Sequence, residues 1–223
     1  RDSLSVNTIK ELDNIYLGPA FGDDEIKEVL DAEGVSGRYK ITKDVDPGDV
    51  AQWLSEGKII ARSCGRMEFG LRALGNRSIL ADPRRWETVR KINDAIKFRD
   101  FWMPFTPTIL AEREADYILN PKGLKSPFMT MAFDSTPLAR RELVAAMHPA
   151  DMTVRPQILT ERRNPEYYAL IKAFERLTGV GGVLNTSFNL HGYPIALGPR
   201  EAIFTLDNSE LDGLLLGDYY IER

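Results

Sequence analysis

The sequence predicts an α/β fold in which helices flank an open, mixed β-sheet. Segments with helical apolar spacing alternate with short apolar runs of strand length, which is the pattern of a layered α/β protein. The chain has 223 residues, of which 43% are hydrophobic and 28% are charged. A chain of this size can bury a core as one large domain or as two small ones.

Three helices are predicted in the first half of the chain. An acidic helix start follows Gly22, and Pro47 begins a second helix that ends before a glycine. Residues 58–61 then form a buried strand. The third helix covers residues 86–97, where apolar side chains recur at helical spacing.

The second half contains the clearest helix. Asn164 is its cap, Pro165 occupies its first turn and Gly179 ends it. Apolar runs and one more helical pattern complete the expected order, with strands over 104–110, 128–133, 182–184 and 214–221 and a helix over 199–206.

The domain organisation is predicted to be simple. Residues 1–20 are interpreted as the remnant of an interdomain linker, because Arg1 is not a natural start, and residues 21–223 as one domain. Apolar runs stay shorter than the roughly 20 residues that span a membrane. Cys64 is the single cysteine, so no internal disulfide can form. We therefore expect a cytoplasmic protein without a membrane partner.

The most informative stretch is GRMEFGLRALGNRSILADPR at residues 65–84, here named the glycine-arginine segment. Arg66, Arg72 and Arg77 carry planar cationic groups that match phosphate or carboxylate oxygens. The glycines between them allow backbone N–H groups to approach a ligand. The pattern indicates an anion-binding loop, and the alternative is a solvated basic surface loop.

Charge is distributed unevenly along the chain. The net charge is −4, yet residues 62–99 hold ten Lys/Arg against four Asp/Glu, so this part has a charge of +6 and the rest −10. Such segregation favours one anionic pocket over a nucleic-acid surface. The two histidines and one cysteine show no metal-ligand spacing, so we expect no protein-bound metal, while Mg²⁺ can arrive with a nucleotide.

A second cationic cluster lies at the end of the third predicted helix. Lys91 precedes Lys97 and Arg99, and the last two flank Phe98, so in an extended segment both would project to one face. Their natural ligand is a multiply charged oxyanion. The alternative is a helix C-terminus whose cations complement the helix dipole.

Neutral polar side chains form a third cluster. Asn185, Ser187 and Asn189 alternate after a glycine-rich strand, which places two carboxamides and a hydroxyl on one side. The alternative is an Asn/Ser-rich turn that satisfies its own backbone. Arg155, in the run TVRPQ, is either a phosphate clamp or an exposed strand charge.

The order of these motifs supports a family resemblance. The glycine-arginine segment, KINDAIKFRDFWMPFTP, TVRPQ and GVLNTSFNLHGYPI resemble the C-terminal domain of NodU/CmcH-type O-carbamoyltransferases, over nearly the whole chain from Tyr16 to Arg223. Leu71 stands where this family usually has proline, which relaxes the loop without removing a hydrogen-bond donor.

The resemblance implies both a fold and a reaction. Lys97-Phe98-Arg99 and Ser187-Phe188-Asn189 are similar to the K-x-R and S-x-N signatures of YrdC/Sua5-type domains, which implies a YrdC/Sua5-like open twisted mixed sheet. Such domains form acyl adenylates. Here the implied substrates are ATP with Mg²⁺ and carbamoyl phosphate, and the product is carbamoyl adenylate. The implied partner is an N-terminal Kae1-like domain of the same polypeptide, which holds a metal and the acceptor site.

Individual roles follow from the same resemblance. Lys97, Arg99 and Ser187 are expected on phosphates, and Asn185 and Asn189 are expected to orient the activated intermediate. The remaining cations complete the expected substrate- and nucleotide-binding set, with Arg66 and Lys91 on carbamoyl phosphate and Arg72, Arg77 and Arg155 beside them.

Two other functions stay open at this point. YrdC-like folds also act on tRNA, so RNA binding is one alternative, although the acidic net charge disfavours it. A catalytically silent docking module, prone to self-association as a homodimer, is the other.

Three charged residues of the glycine-arginine segment and its flank receive structural interpretations. Glu68 is expected to orient Arg72 through a salt bridge and not to act as a base. Arg84 and Arg85 are expected at a helix entry, where their replacement should matter little.

Overall fold

The computed structural model describes residues 12–98, 100 and 102–223. The strands of the described residues are β1 (Lys40–Lys43), β2 (Ile60–Ser63), β3 (Arg77–Ala81), β4 (Thr106–Leu110), β5 (Ile118–Leu119), β6 (Asp134–Ser135), β7 (Gln157–Leu159), β8 (Gly182–Ser187), β9 (Gly213–Leu216) and β10 (Tyr219–Glu222). Eight of them form one sheet in the order β1-β10-β9-β2-β3-β8-β4-β7, and β5 pairs with β6 separately. The β2–β9 and β4–β7 pairs are parallel and the others are antiparallel. The predicted mixed sheet is thereby confirmed.

Helices cover both faces of this sheet. They are α1 (Asp23–Ala32), α2 (Pro47–Ser55), α3 (Glu87–Ile92), α4 (Glu114–Tyr117), α5 (Ala139–Glu142), α6 (Pro165–Thr178) and α7 (Pro199–Asp207). Apolar side chains of α2 and α6 form the core on one face, and those of α1, α3 and α7 form it on the other. Among the described residues, no helix is long and apolar enough to cross a membrane.

Helix ends with local signals form where the sequence predicts them. In α6, the Asn164 side chain accepts a hydrogen bond from the Tyr167 N–H, and Gly179 ends the helix with φ at 79°. In α2, the Asp46 side chain accepts from the Gly48 N–H at 2.6 Å, one residue after Pro47 begins the helix. Both helices depend on side-chain caps and on proline and glycine geometry, all of which the sequence displays.

Two predicted strands are wrong. Residues 128–133 do not form a strand, because Met129 adopts a left-handed conformation with φ at 54° and only Phe133 forms an isolated bridge, to Val154. The single strand predicted over 214–221 is a hairpin of β9 and β10. Gly217, with φ at 56°, makes the turn between them.

The glycine-arginine segment is only partly a loop, which corrects its interpretation. Its residues 77–81 form β3, which lies between β2 and β8 in the centre of the sheet. All five residues of β3 are buried. Arg77 is therefore a strand residue. The sequence does not predict this strand, because its first two side chains are polar.

The third predicted helix also changes character before its end. After α3, residues Asn93–Lys97 continue as a π-helix, and Phe98 ends it in a left-handed conformation. A π-turn widens the helix and is often found at functional sites. Here it directs the chain from α3 toward the end of β8.

A buried ion pair anchors the chain just after β3. The Asp82 carboxylate is fully buried and accepts hydrogen bonds from Nε and an Nη atom of Arg84 at 2.6–3.0 Å. The Arg84 guanidinium also lies 5.8 Å from the centre of the Phe174 ring in α6. The expectation that Arg84 is dispensable is therefore not supported.

We expect Arg84→Ala to lower the free energy of unfolding by about 2–4 kcal/mol, because it leaves a buried carboxylate without its partner. Arg85→Ala is the control, since Arg85 is exposed and its loss should change stability by less than about 0.5 kcal/mol. Urea denaturation followed by circular dichroism measures both. Equal stabilities for the two variants would refute a structural role for the Asp82–Arg84 pair.

Candidate functional site

The candidate site lies at the end of β8, beside the start of β3. Ser187 pairs with Ser78 of β3, and Asn185 lies opposite Thr106 of β4. The π-turn places Lys97 next to Ser187, at the end of β8. Side chains from three separate segments of the chain therefore meet at this edge of the sheet.

Lys97 connects these segments through its ammonium group. Its Nζ lies 2.5 Å from the Ser187 carbonyl oxygen and 2.7 Å from Asn189 Oδ1, with Ser187 Oγ and the Asn189 carbonyl oxygen both at 3.2 Å. The side chain is 1% exposed. A buried ammonium requires several hydrogen-bond acceptors, and these four oxygens provide them. The predicted convergence of Lys97, Ser187 and Asn189 is present in the structure.

The turn after β8 is itself ordered by side chains. Ser187 Oγ donates to Asn189 Oδ1 at 2.6 Å. Asn189 Nδ2 donates to the carbonyl oxygens of Leu190 at 2.9 Å and Tyr193 at 2.8 Å. The predicted alternative of a self-satisfied Asn/Ser turn is thus partly right, because Asn189 stabilises its own loop while it contacts Lys97.

A small cavity of about 90 Å³ opens next to Ser187. The lining residues are Leu71, Arg72, Ala73, Pro104, Phe105, Thr106, Met129, Arg155, Asn185, Thr186 and Ser187. Two arginines thus share a cavity with two predicted polar residues. Two arginines on its wall suit the phosphate or carboxylate oxygens of an anionic ligand.

Asn185 forms part of this cavity and has a fixed orientation. It is fully buried, and its Nδ2 donates to the Ala73 carbonyl oxygen at 3.3 Å and to Thr108 Oγ1 at 3.0 Å. Because a carbonyl oxygen only accepts, the amide nitrogen must face Ala73. The remaining atom, Oδ1, is buried without a hydrogen-bond partner.

A buried hydrogen-bond chain behind Asn185 supports that orientation. Gln157 Nε2 donates to the Leu74 carbonyl oxygen at 3.0 Å, so its Oε1 faces Thr108 and accepts from Oγ1 at 2.9 Å. The Thr108 hydrogen is then engaged, and Oγ1 accepts from Asn185. The direction of every bond in the chain leaves an acceptor at the cavity residue.

Glu68 organises the glycine-arginine segment, but differently from the prediction. Its Oε1 accepts from the backbone N–H groups of Leu74 at 2.6 Å, Asn76 at 2.8 Å and Arg77 at 3.3 Å. The expected partner was Arg72. Glu68 therefore shapes the loop backbone through three N–H groups, which is a structural role of another kind.

Two predicted cations bind backbone oxygens away from the cavity. Arg66 donates to the carbonyl oxygens of Leu17 at 2.7 Å and Gly18 at 3.1 Å. The buried Arg77 guanidinium donates to carbonyl oxygens that include those of Asn76 and Leu197. Burial lowers the pKa of Arg77 because it disfavours the charged form. Neither residue lines the cavity, and their expected roles in substrate binding stay predictions.

The last two predicted cations are Lys91 and Arg99. Lys91 is exposed on α3, in a cleft lined also by Glu56, Ile59 and Asp212. Ile59 precedes β2, whereas the cavity lies near the other end of the strands, so Lys91 lines a different cleft. Arg99 lies outside the described residues, and its role stays a prediction.

Sequence reasoning missed several residues of the site. Thr106, Met129 and Thr186 line the cavity, and His191 Nδ1 lies 2.8 Å from the Lys97 carbonyl oxygen. His191 occurs in the quoted motif GVLNTSFNLHGYPI, but only the fold shows what it contacts. The described residues hold no cluster of three or more His, Cys, Asp or Glu that could bind a metal ion.

Comparison with known proteins identifies the sequence relatives of this chain. Residues 51–223 match the family model described as the carbamoyltransferase C-terminus. The chain is 38% identical over 220 residues to an uncharacterized protein of Methanocaldococcus jannaschii, covering 98% of this chain and 36% of that protein. It is 36% identical over 216 residues to nodulation protein NolO of Bradyrhizobium diazoefficiens, covering 96% and 39%. The chain thus spans well under half the length of these relatives.

Solved structures share the fold at low sequence identity. Full-length HypF aligns with a TM-score of 0.58 at 18% identity, over 80% of this chain and 25% of that one. YciO of E. coli aligns with a TM-score of 0.55 at 16% identity, over 77% of each chain. Sua5 of P. abyssi aligns with a TM-score of 0.54 at 14% identity, over 77% and 45%. The predicted YrdC/Sua5-like architecture is confirmed.

Proposed function

The chain belongs to the carbamoyltransferase C-terminal family, and we propose that it forms carbamoyl adenylate from ATP and carbamoyl phosphate. In this reaction water first displaces inorganic phosphate from carbamoyl phosphate to give carbamate. A carbamate oxygen then attacks the α-phosphorus of ATP, and pyrophosphate leaves, so that carbamoyl adenylate, pyrophosphate and phosphate are the products. Transfer to an acceptor hydroxyl then belongs to a Kae1-like N-terminal domain of the same polypeptide. The chain spans 36% and 39% of two relatives, which is compatible with such a division.

The observation that supports this proposal most is the cationic cavity beside the Lys97 cluster. Arg72 and Arg155 line it together with Ser187, whose hydroxyl and carbonyl oxygens contact the Lys97 ammonium. Attack on a polyphosphate requires fixed positive charge and positioning more than acid–base chemistry. Two arginines and three residues with hydroxyl groups are five of the eleven lining residues, and these are the kinds of group that such a step requires.

Mg²⁺ is proposed to arrive with ATP and not to bind a protein site. Divalent magnesium needs few protein ligands when nucleotide phosphates coordinate it. The oxygen donors beside the cavity that suit this arrangement are the hydroxyls of Thr106, Thr186 and Ser187. When bound, the ion would neutralise charge on the leaving pyrophosphate, while Arg72 and Arg155 hold the remaining oxygens.

Asn185 gives the proposal chemical specificity. Its unpartnered Oδ1 is an acceptor, and leaving a buried acceptor unpaired costs about 1–3 kcal/mol. A ligand for this cavity should therefore combine negative charge with an N–H or O–H donor. Carbamoyl phosphate does so through its phosphate and its NH₂ group, whereas acetyl phosphate carries a methyl group in place of the NH₂.

We expect the protein to bind carbamoyl phosphate about tenfold more tightly than acetyl phosphate, which corresponds to one buried hydrogen bond. In Asn185→Leu, which keeps the branched skeleton of the side chain but has no acceptor, the preference should disappear. Competition calorimetry at equal ionic strength measures both affinities. Circular dichroism establishes that the variant is folded, and a retained tenfold preference in the folded variant would contradict the role of Oδ1.

The reaction itself has a direct test. The protein is incubated with ATP, Mg²⁺ and carbamoyl phosphate, and pyrophosphate release and the mass of carbamoyl adenylate are followed. Omitting carbamoyl phosphate gives the background. Pyrophosphate release that depends on carbamoyl phosphate is the expected result. Absence of both products, while ATP binding is measurable, would refute adenylate formation by this chain and favour the silent docking module.

A further inference from the structure

We propose that His191 is a positioning residue that holds the turn at Phe98 and thereby aims Lys97 at Ser187 and Asn189. The conformational part of this inference stands on the geometry alone. Its consequence for ligand binding rests on the proposed function. The two parts are separable because they have different readouts.

The turn at Phe98 is strained. Phe98 has φ at 45° and ψ at 35°, and its N–H donates to the Asn93 carbonyl oxygen at 2.9 Å, which closes the π-turn. A residue with a Cβ atom loses about 1–2 kcal/mol in this left-handed conformation. Such strain persists where surrounding contacts determine the backbone, and it concentrates at functional sites.

Those contacts run in both directions between two segments. The Lys97 side chain reaches the turn after β8 and binds oxygens of Ser187 and Asn189. From that same turn, His191 Nδ1 reaches back to the Lys97 carbonyl oxygen at 2.8 Å. The peptide group that His191 binds is the one that joins Lys97 to Phe98, so the imidazole fixes its plane at the strained position.

The direction of the His191 hydrogen bond is determined by its partner. A carbonyl oxygen only accepts, so Nδ1 must carry the hydrogen. Both the neutral Nδ1–H tautomer and the imidazolium satisfy this requirement. The contact therefore does not depend on which of these two forms is present, and its role is mechanical.

The loop that carries His191 provides a fixed support. Asn189 Nδ2 donates to the Tyr193 carbonyl oxygen at 2.8 Å, and the Tyr193 N–H donates to the Leu190 carbonyl oxygen at 3.1 Å. The Ala196 N–H donates to the Phe188 carbonyl oxygen at 2.9 Å and closes the loop. Since the loop is closed by its own hydrogen bonds, the imidazole binds the Lys97 carbonyl oxygen from a defined position.

Phe98 itself offers a way to test the strain. Its side chain is 69% exposed, so removing the ring should leave no core cavity. Glycine adopts positive φ without the Cβ penalty. If His191 offsets the strain at residue 98, then Phe98→Gly should make His191 unnecessary, whereas Phe98→Ala should not, because alanine keeps the Cβ atom.

The experiment compares the wild type with His191→Ala, His191→Asn and the two double variants His191→Ala/Phe98→Gly and His191→Ala/Phe98→Ala. Hydrogen exchange at the amide of residue 98 reports the turn, and calorimetry with Mg-ATP reports the site. In His191→Ala we expect amide protection to fall about tenfold and affinity for Mg-ATP to fall about fivefold to tenfold. His191→Asn should restore most of the amide protection and of the affinity for Mg-ATP, because the carboxamide nitrogen can donate to the Lys97 carbonyl oxygen. The double variant His191→Ala/Phe98→Gly should restore most of both quantities as well.

The outcomes separate the two parts of the inference. Unchanged exchange at residue 98 in His191→Ala would overturn the positioning role, and so would equal recovery by glycine and alanine at this residue. If no variant, the wild type included, binds Mg-ATP, the proposed function fails while hydrogen exchange still decides the role of His191.

Discussion

Gly75→Ala should lower the free energy of unfolding by about 3–5 kcal/mol, through overpacking added to backbone strain. Gly75 has φ at +114°, and a Cβ atom there would lie 2.2 Å from Cδ1 and 2.5 Å from Cε1 of Tyr167. That ring is fully buried, and its hydroxyl donates to Thr108 Oγ1 at 3.0 Å. Tyr167 therefore cannot move aside without breaking the hydrogen-bond chain behind Asn185.

Gly70→Ala separates steric overlap from backbone strain. Gly70 also has positive φ, at +109°, but nothing lies within 4 Å of its added Cβ atom. We expect a loss of only about 1–2 kcal/mol at this position. Urea denaturation of both variants, monitored by circular dichroism, gives the comparison. Equal losses at Gly70 and Gly75 would show that the Tyr167 ring yields to the added methyl group.

Exchanging Lys97 for methionine should reduce the kcat/KM of pyrophosphate release that depends on carbamoyl phosphate by about 10²–10³, because it removes a positive charge beside the cavity and the ammonium that holds the turn after β8. Methionine keeps the volume of the stem but leaves oxygens of Ser187 and Asn189 without their ammonium partner. The effect thus combines a missing positive charge with a displaced turn beside the cavity.

Lys91→Met provides the comparison for this variant. Lys91 carries the same charge on the preceding helix but is exposed in a different cleft, so its loss should change kcat/KM by less than about twofold. Pyrophosphate release and thermal unfolding are measured for both. A large loss in Lys91→Met, or near-wild-type turnover in a folded Lys97→Met, would contradict the placement of the site.

Elements that the sequence predicted correctly are those with local signals. The Asn164 cap, Pro165 and Gly179 delimit α6 within a few residues, and each acts through its own backbone geometry. The start of α2 at Pro47 follows the same logic. Such features need no knowledge of distant neighbours, so a single sequence suffices to place them.

β3 shows why other elements were missed. It begins with Arg77 and Ser78, which are polar. Both are nevertheless buried, and Arg77 forms hydrogen bonds with residues distant in sequence. The Arg77 Nε donates to the Leu197 carbonyl oxygen, 120 residues further along the chain. Neither periodicity nor propensity reports such a contact, so a central strand was interpreted as a loop.

The candidate site, like the fold, could be predicted from the sequence only in part. Family resemblance and alternate spacing predict a common role for Lys97, Ser187 and Asn189, which the structure places in contact. Sequence cannot show where a long side chain points, so it does not indicate that Arg66 binds backbone oxygens or that Lys91 lines a different cleft. The orientation of Asn185 likewise depends on a partner, Thr108, from another strand.

The parallel pairing of β2 with β9 has a consequence for biosynthesis. Ile60 of β2 aligns with Gly213 of β9, so about 150 residues must leave the ribosome after β2 before its second neighbour exists. Until then β2, which is buried in the complete fold, has one unpaired edge in the nascent chain, and such an edge promotes aggregation. Long-range pairing of this kind also slows refolding. We therefore expect the protein to depend on chaperones during synthesis.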